Sequence, residues 1–471
     1  MKVSLLFTTQ TGTDNANFGA QKFRDQNIGI IPPVSLLNVA SILEKIDVEV
    51  SIIDVDAENL SYPKVLRRIS EFSPDLIGFS ISTYNFQEVL DWIKRVKEDT
   101  HTPIIAGGPH VTIYSEEVMS HKFIDYGIIG EAELPLPEFI KAFRKDKNFK
   151  GIKSVAYREN GELFIDKTRQ FIDDIEGITY ARHLIANERY SNILTRRRNF
   201  TAMLSARGCP YRCTFCDLKN PPYRHRSAAN FVNEIRENLE THNIREFDIY
   251  DSTFTANRKR VLEICALIVE QGLDVGWTIR SRVDSVNEEM IHALKNAGCH
   301  TIFYGVESSN PEILKVMKKN IEISRIKHIV NYTKNVVGID TLGYFLFGYP
   351  GETKKTIEET IEFALELPLD YAQFGVLVPF PETEIYDYYL ERGMGDFWKE
   401  NTLNPDNDRV IELVDVTLSR AEMQEYCIIA NRKFYSRPKN MLHKLKNVRS
   451  LDNFMRLSRG GVSVFRNLVG I

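Results

Sequence analysis

Two α/β units in tandem, a doubly wound parallel sheet and then a partial (β/α)6 TIM-like barrel with a helical C-terminal region, are predicted for this 471-residue chain. Three observations carry the prediction. Short apolar runs alternate with amphipathic stretches up to about residue 145, and the alternation restarts near residue 201. Polar or glycine-rich residues follow most of those runs, where parallel sheets place their ligand loops. The length also exceeds what a single hydrophobic core usually serves. The expected division is a doubly wound, Rossmann-like domain over 1–145, a connector with a hairpin over 146–200, a barrel over 201–385 and helices over 386–471.

Strands are expected at Val3–Thr8, Val48–Val55, Leu76–Ser82, Ile104–Ala106 and Tyr126–Ile129. Pro32 and Pro33 introduce a helix at Val34–Lys45. A second helix, Phe86–Val96, places Phe86, Val89, Leu90, Ile93 and Val96 on one face. Ligands of such sheets lie beyond the carboxyl ends of the strands, here the loops Thr8–Gly12, Ser80–Asn85, Gly107–Thr112 and Gly130–Glu133. Gly107 and Gly108 lack a Cβ and so permit close backbone approach to a bulky ligand. No G-x-G-x-x-G follows the first strand, which disfavours a dinucleotide.

In the connector, Val155–Tyr157 and Leu163–Ile165 flank an Asn160-Gly161 turn, the signature of a hairpin. The basic run Arg196-Arg197-Arg198 reads as a solvated loop, with contact to an anionic cofactor tail as the alternative. The barrel strands are expected at Thr201–Ala206, Phe247–Tyr250, Val275–Ile279, Thr301–Val306, Leu342–Phe347 and Phe374–Val378, separated by helices such as Asn230–Leu239 and Arg260–Glu270.

Cys209, Cys213 and Cys216 follow the first of these strands within eight residues. Their spacing lets one loop wrap its thiolates around a single centre, and Gly208 and Pro210 suit a tight loop. Soft thiolates select iron–sulfur clusters, zinc or copper(I). Structural zinc loops usually pair two-cysteine knuckles, and no second knuckle exists: Cys265, Cys299 and Cys427 stand alone. A cubane held by three cysteines keeps one iron open for chemistry. Cys265 and Cys299 lie in apolar, helix-like patterns and are expected to be inert core thiols. On the same rim as the cysteines stand Asp251-Ser252-Thr253, Arg280, Arg282, Glu307-Ser308-Ser309 and Gly348-Tyr349-Pro350-Gly351-Glu352-Thr353.

Apolar content of 43% and a net charge of −4 are ordinary for a globular protein and give no reason to expect nucleic acid. The start, Met1–Phe7, reads as a strand and is too short for a signal peptide. No apolar run approaches the roughly 20 residues of a membrane span. Thiols clustered for a metal without a disulfide framework point to a reducing cytoplasm. From Arg432 to Arg466 the chain is basic and amphipathic, which suits packing on the barrel or peripheral contact with an acidic membrane.

The cysteine loop, with Phe215 just before Cys216, resembles the most specific motif of the radical S-adenosylmethionine superfamily. Gly305-Val306-Glu307-Ser308 and Gly348–Thr353 resemble further signatures of that family. Pro379-Phe380-Pro381-Glu382-Thr383 resembles another, which more often has Gly where Glu382 stands. The first domain, with Pro32-Pro33-Val34-Ser35, Gly107-Gly108-Pro109-His110 and Gly130-Glu131-Ala132-Glu133, is similar to the cobalamin-binding domain attached to such enzymes. The resemblance implies that Cys209, Cys213 and Cys216 hold a [4Fe–4S] cluster whose open iron chelates S-adenosylmethionine. It implies that Phe215 packs near the adenine, Glu307 binds the amino group or ribose, Arg282 the carboxylate, and Ser252 and Thr253 the methionyl end. It implies cobalamin on the first domain, near Ser82, Thr83, Tyr84, Asn85, Gly107, Gly108, Gly130 and Glu131, with His110 packed beside the cofactor tail. The first histidine of the chain is His101, so the family's cobalt-ligating histidine after the first strand is absent.

The expected activity is methylation of an unactivated carbon on a small-molecule, lipid or tetrapyrrole substrate, with electrons from a carrier such as flavodoxin or ferredoxin. A 5′-deoxyadenosyl radical would remove hydrogen and methylcobalamin would supply the methyl group. The alternatives are a non-methylating oxidative cyclase or ring-rearranging enzyme with the same cofactors, and a cobalamin- or zinc-binding sensor without turnover.

Overall fold

The computed structural model describes residues 1–8, 29–192, 194–197, 199–405 and 410–437. These form two compact units. The first contains 1–8, 30–190 and 394–405; the second contains 29, 191–393 and 410–437, apart from the undescribed 193 and 198. The loop expected at Thr8–Gly12 falls outside the described residues beyond Thr8, as do Arg198 and the basic tail from residue 438.

Seven strands build the sheet of the first unit: β1 Lys2–Phe7, β2 Glu49–Asp54, β3 Leu76–Ser80, β4 Ile104–Gly107, β5 Tyr126–Ile128, β6 Val155–Glu159 and β7 Glu162–Ile165. Their order is β2-β1-β3-β4-β5-β6-β7, with Val3 opposite Val50 on one side and Leu76 on the other. The first five are parallel and buried on both faces, so they read as continuous apolar runs. The chain leaves β1 for β2 on one side and returns to β3 on the other. The crevice of a doubly wound sheet therefore opens between the ends of β1 and β3. Helix Phe86–Thr100 buries the five apolar residues that its spacing places on one face. The hairpin expected in the connector is β6–β7, turning through Asn160 (φ 51°) and Gly161 (φ 86°). Its antiparallel pairing with β5 makes it part of the first sheet, where it covers an exposed edge. Helix Phe397–Leu403, remote in sequence, also belongs to this unit.

The second unit is a six-stranded parallel sheet in sequential order: β8 Phe200–Met203, β9 Glu246–Ile249, β10 Gly276–Ser281, β11 Cys299–Glu307, β12 Asp340–Phe347 and β13 Tyr371–Val376. Trp277 donates to Ala297 O at 2.7 Å and Tyr304 bonds Thr333 at 2.9 Å, which fixes the face turned to the helices. The other face carries Asp248, Thr278, Arg280, Phe303 and Tyr344.

Three expectations change. β8 stops at Met203 rather than Ala206, because the Asp251 carboxylate accepts from Ser205 N at 2.6 Å and Ala206 N at 3.0 Å and turns the chain there. Cys299 opens a strand rather than lying in a helix: Gly298, at φ 92°, ends the preceding helix. It is buried, as is Cys265. Arg196 is no solvated loop residue. It pairs with Asp340 at the amino ends of the strands, and its N–H donates to Glu246 Oε1 at 3.0 Å. Arg197 does remain at the surface, 2.8 Å from Asp274.

Candidate active site

The cysteine loop is shaped by contacts that leave little choice of residue. Gly208 has φ 71°, and a Cβ there would lie 2.5 Å from Pro221 O and 2.6 Å from Pro222 O. Thr214 ties the loop to the segment that follows helix Pro311–Val316. Its N–H donates to Met317 O at 3.1 Å, and its hydroxyl contacts both Val316 O and the Tyr349 hydroxyl. Cys216 N donates to Cys213 O at 3.2 Å, closing the turn between the second and third thiols.

All three thiols are partly buried. Cys209 Sγ lies 3.7 Å from the Thr253 hydroxyl, and Cys213 Sγ accepts from Arg282 Nη1 at 3.2 Å. Burial pushes the Cys216 thiol up to about 12, and the nearby Asp217, Cys213 and Cys209 push the same way. Burial also raises Cys213, opposed by the cations Lys319 and Arg282. A metal ligand must be the thiolate. Burial thus favours the protonated form of Cys213 and Cys216, and a positively charged centre would favour their thiolates. Among the described residues no three His, Cys, Asp or Glu side chains converge on a single ion. The fit to a polynuclear iron–sulfur centre therefore rests on soft donors, a shared loop and mutual electrostatic influence.

Beside the thiols is a buried ion pair. Lys319 Nζ lies 2.7 Å from Glu307 Oε1 and donates to Gly305 O at 2.9 Å. Glu307 takes φ 68°, rare for a residue with a side chain and costly enough to mark a constrained position. Gly305 is required by the pair, since a Cβ there would fall 2.6 Å from both Glu307 Oε1 and Lys319 Nζ. Arg282, expected to meet a cofactor carboxylate, has its fork on Asp284 at 2.9 and 2.8 Å and also donates to Lys319 O at 2.8 Å. Stacked over the Tyr211 ring at 4.2 Å, it supports the cysteine loop rather than presenting an open fork. Ser252 and Phe215 are half-buried on the same rim, and Thr253 is buried. Arg280 pairs with Asp248 and lies over Tyr250 at 3.8 Å.

Sequence reasoning missed Lys319, Asp284 and the Thr214–Tyr349 contact. Lys319 follows Lys315 and Lys318 in what reads as a solvated helix end, and nothing in the spacing separates the buried lysine from its neighbours.

In the first unit the loop after β3 is tightly held. Asn85 Oδ1 accepts from Ser82 N at 2.8 Å and Ser82 Oγ at 2.9 Å, Thr83 is buried, and Tyr84 is exposed at the tip. Gly108 serves the chain itself: at φ 105°, its Cβ would lie 2.6 Å from Ile81 O. Gly107 ends β4 and Gly130 takes φ 78°. Glu131 is turned to Ile172 N at 3.4 Å. His110 is buried between Thr83 and Thr402, 3.4 and 2.9 Å from their hydroxyls, and burial lowers it to about 3. It is a neutral imidazole with both nitrogens engaged.

The sequence pattern of the radical SAM superfamily matches residues 203–364, and that of a B12 binding domain matches residues 28–140. An uncharacterised methyltransferase of Pyrococcus horikoshii is 32% identical over 422 residues, covering 87% of this chain and 89% of its own. An anaerobic magnesium-protoporphyrin IX monomethyl ester cyclase of Rubrivivax gelatinosus is 27% identical, covering 76% of this chain and 66% of its own. Among solved structures, the radical S-adenosylmethionine methyltransferase TsrM of Kitasatospora setae superposes with a TM-score of 0.67 at 21% identity, over 84% of this chain and 75% of that one. OxsB, a cobalamin-dependent S-adenosylmethionine radical enzyme, gives a TM-score of 0.65 at 17% identity, over 99% and 72%. At that identity the last two speak for the fold, and the sequence matches speak for the family. The chain belongs to the radical SAM superfamily, in the group whose barrel is joined to a B12-binding domain, and is a cobalamin-dependent radical SAM enzyme with a [4Fe–4S] cluster, S-adenosylmethionine and cobalamin as its cofactors.

Proposed function

We propose that this enzyme methylates an unactivated carbon of a small-molecule substrate. The observation that carries the reading is the pairing, in one chain, of a three-thiol loop with a B12-binding sheet, in a sequence 32% identical to a methyltransferase over most of both lengths. Bound together, the three cofactors supply one-electron cleavage of a sulfonium and a transferable methyl group. The protein's own part is binding, orientation and exclusion of water. Cys209, Cys213 and Cys216 hold the cluster. Glu307 offers its carboxylate to the amino group or ribose of S-adenosylmethionine, which requires it to share or leave Lys319. Lys319, once released, is a cation available to the carboxylate of the same cofactor, while the fork of Arg282 is engaged by Asp284. Thr253 and Ser252 border the methionyl end and Phe215 the adenine. Ser82–Asn85, with Gly107, Gly130 and Glu131, border the corrinoid. The electron comes from a carrier protein of the flavodoxin or ferredoxin kind.

The substrate meets the sheet face opposite the helices. Arg280, Tyr250 and Tyr344 are half-buried there, and a Cβ at Gly375 would meet nothing within 4 Å. A second reading, oxidative cyclisation, draws on the cyclase of Rubrivivax gelatinosus. Anaerobic reconstitution with S-adenosylmethionine and cell extract separates the two. Methylation yields S-adenosylhomocysteine with 5′-deoxyadenosine, whereas cyclisation yields no homocysteine product. Zinc in place of iron and sulfide in the purified protein overturns both.

A further inference from the structure

The hydrogen bonds around His110 have one consistent direction. Thr402 Oγ1 donates to Trp398 O at 2.7 Å, the ordinary back-bond of a helical threonine, which uses its only proton. At 2.9 Å from the same oxygen, His110 Nε2 must then be the donor. The neutral ring has Nδ1 left as an acceptor, and the Thr83 hydroxyl, 3.4 Å away, donates to it. The ring cannot slip, because it is packed against Phe86 at 4.6 Å and Tyr114 at 5.4 Å. Thr402 is held in turn by a second histidine, since its carbonyl accepts from His121 Nε2 at 2.7 Å. Thr402 and His110 are 292 residues apart in sequence, and all these groups are in the first unit.

We propose that Thr402 and His110 are positioning residues for the corrinoid seat, fixing through Thr83 the loop Ser82–Asn85 that closes the carboxyl end of β3. This rests on the reading that cobalamin lies at that end of the first sheet. The loop's other anchor is local: Asn85 holds Ser82. Thr83 ties the loop to a distant element through His110, and Tyr84 beside it presents its side chain at the surface, 47% exposed. If Thr83 is loosened, the loop loses that long-range anchor. The helix Phe397–Leu403 is thereby a component of cofactor binding as well as a cover for helix Ser115–Ser120.

The test is the affinity of the full-length chain for hydroxocobalamin, measured by equilibrium dialysis and by the visible absorption of the bound corrinoid. A loss of about fivefold, what one forfeited hydrogen bond is worth, is expected for Thr402→Val. Thr402→Ser keeps the hydroxyl and is expected to bind as the wild type does. Thr83→Val severs the relay at its far end and is expected to match Thr402→Val, which serves if that variant does not fold. Lys399→Ala loosens the same helix at Glu117 without touching the relay, and is expected to leave affinity unchanged. Wild-type affinity in Thr402→Val or Thr83→Val, or an equal loss in Lys399→Ala, overturns the proposal. A wild-type chain that binds no hydroxocobalamin overturns the reading of the first unit, and the proposal with it.

Discussion

Lys319→Met tests whether the buried pair beside the cysteines is what holds Glu307 in its left-handed conformation. The side chains of Lys319 and Glu307 are 4% and 11% exposed, so neither charge has much recourse to water. Methionine keeps the apolar stem but leaves a carboxylate buried without its cation and Gly305 O without its donor. Breaking a buried pair from one side costs about 3–5 kcal/mol, and we take about 4 kcal/mol. The diagnostic variant is the double one. Lys319→Met with Glu307→Gln leaves no charge in the site, and replacing a buried pair by neutral groups of like volume is often close to neutral. The second substitution is therefore expected to restore about 2–3 kcal/mol. Urea-dependent hydrogen exchange of the β11 amides, read by mass spectrometry on the anaerobic apo-protein, measures this within the second unit. A double variant no more stable than Lys319→Met would refute the reasoning.

Acid is expected to destabilise the first unit through His110. Its folded value, about 3, lies below the ordinary 6.5, so stability is full above pH 6.5 and is lost as pH falls towards 3. By pH 5 the loss is about 2 kcal/mol; melting curves at pH 8 and pH 5 should show it, and His110→Gln should flatten it even with His121, Glu117, Asp396 and Lys399 in place. Glu352 works with the opposite sign. Burial raises it from 4.5 to about 7, so its contribution is full below pH 4.5 and fades as pH rises through 7; Glu352→Gln should be the more heat-resistant protein at pH 8.5 and lose that advantage at pH 5. Gly208→Ala forces a Cβ against Pro221 O at a strained φ and is expected to lower iron and acid-labile sulfide after reconstitution at least twofold; full loading would show that the loop tolerates a side chain there. Cys216→Ser should reduce loading further still, with the 400 nm absorption of the cluster as the measure.

The strand–helix alternation was legible because parallel strands buried on both faces leave continuous apolar runs, as in Leu76–Phe79, and amphipathic helices leave a face, as in Phe86–Val96. The cysteine loop was legible because its chemistry is local, with all three donors within eight residues. What escaped was long-range and polar. Lys319 and Glu307 are 12 residues apart, His110 and Thr402 292. A lysine that ends in a buried pair leaves the same trace in a sequence as one that ends in water. At Gly108, read as room for a ligand, the sequence did not show that the Ile81 backbone also requires a glycine. At Arg196, a basic run flanking a strand hides one member that is folded inward onto Asp340.

The polar groups of the second unit are graded along its strands. At the amino ends the polar groups close on one another: Arg196 and Lys334 on Asp340, Lys334 also on Asp370, and His300 on Glu246 at 2.7 Å. Midway, Asp248 takes both Thr278 and Arg280, and aromatic rings cover the guanidinium. At the carboxyl ends the pairs stand next to groups that titrate or ligate: Glu307 with Lys319, and Arg282 shared between Asp284 and a cysteine. A buried pair that is closed on itself stabilises one arrangement, whereas one that stands beside other titratable groups has alternative partners within reach. The pairs of the amino ends thus close among themselves, and those of the carboxyl ends lie beside the cysteine loop.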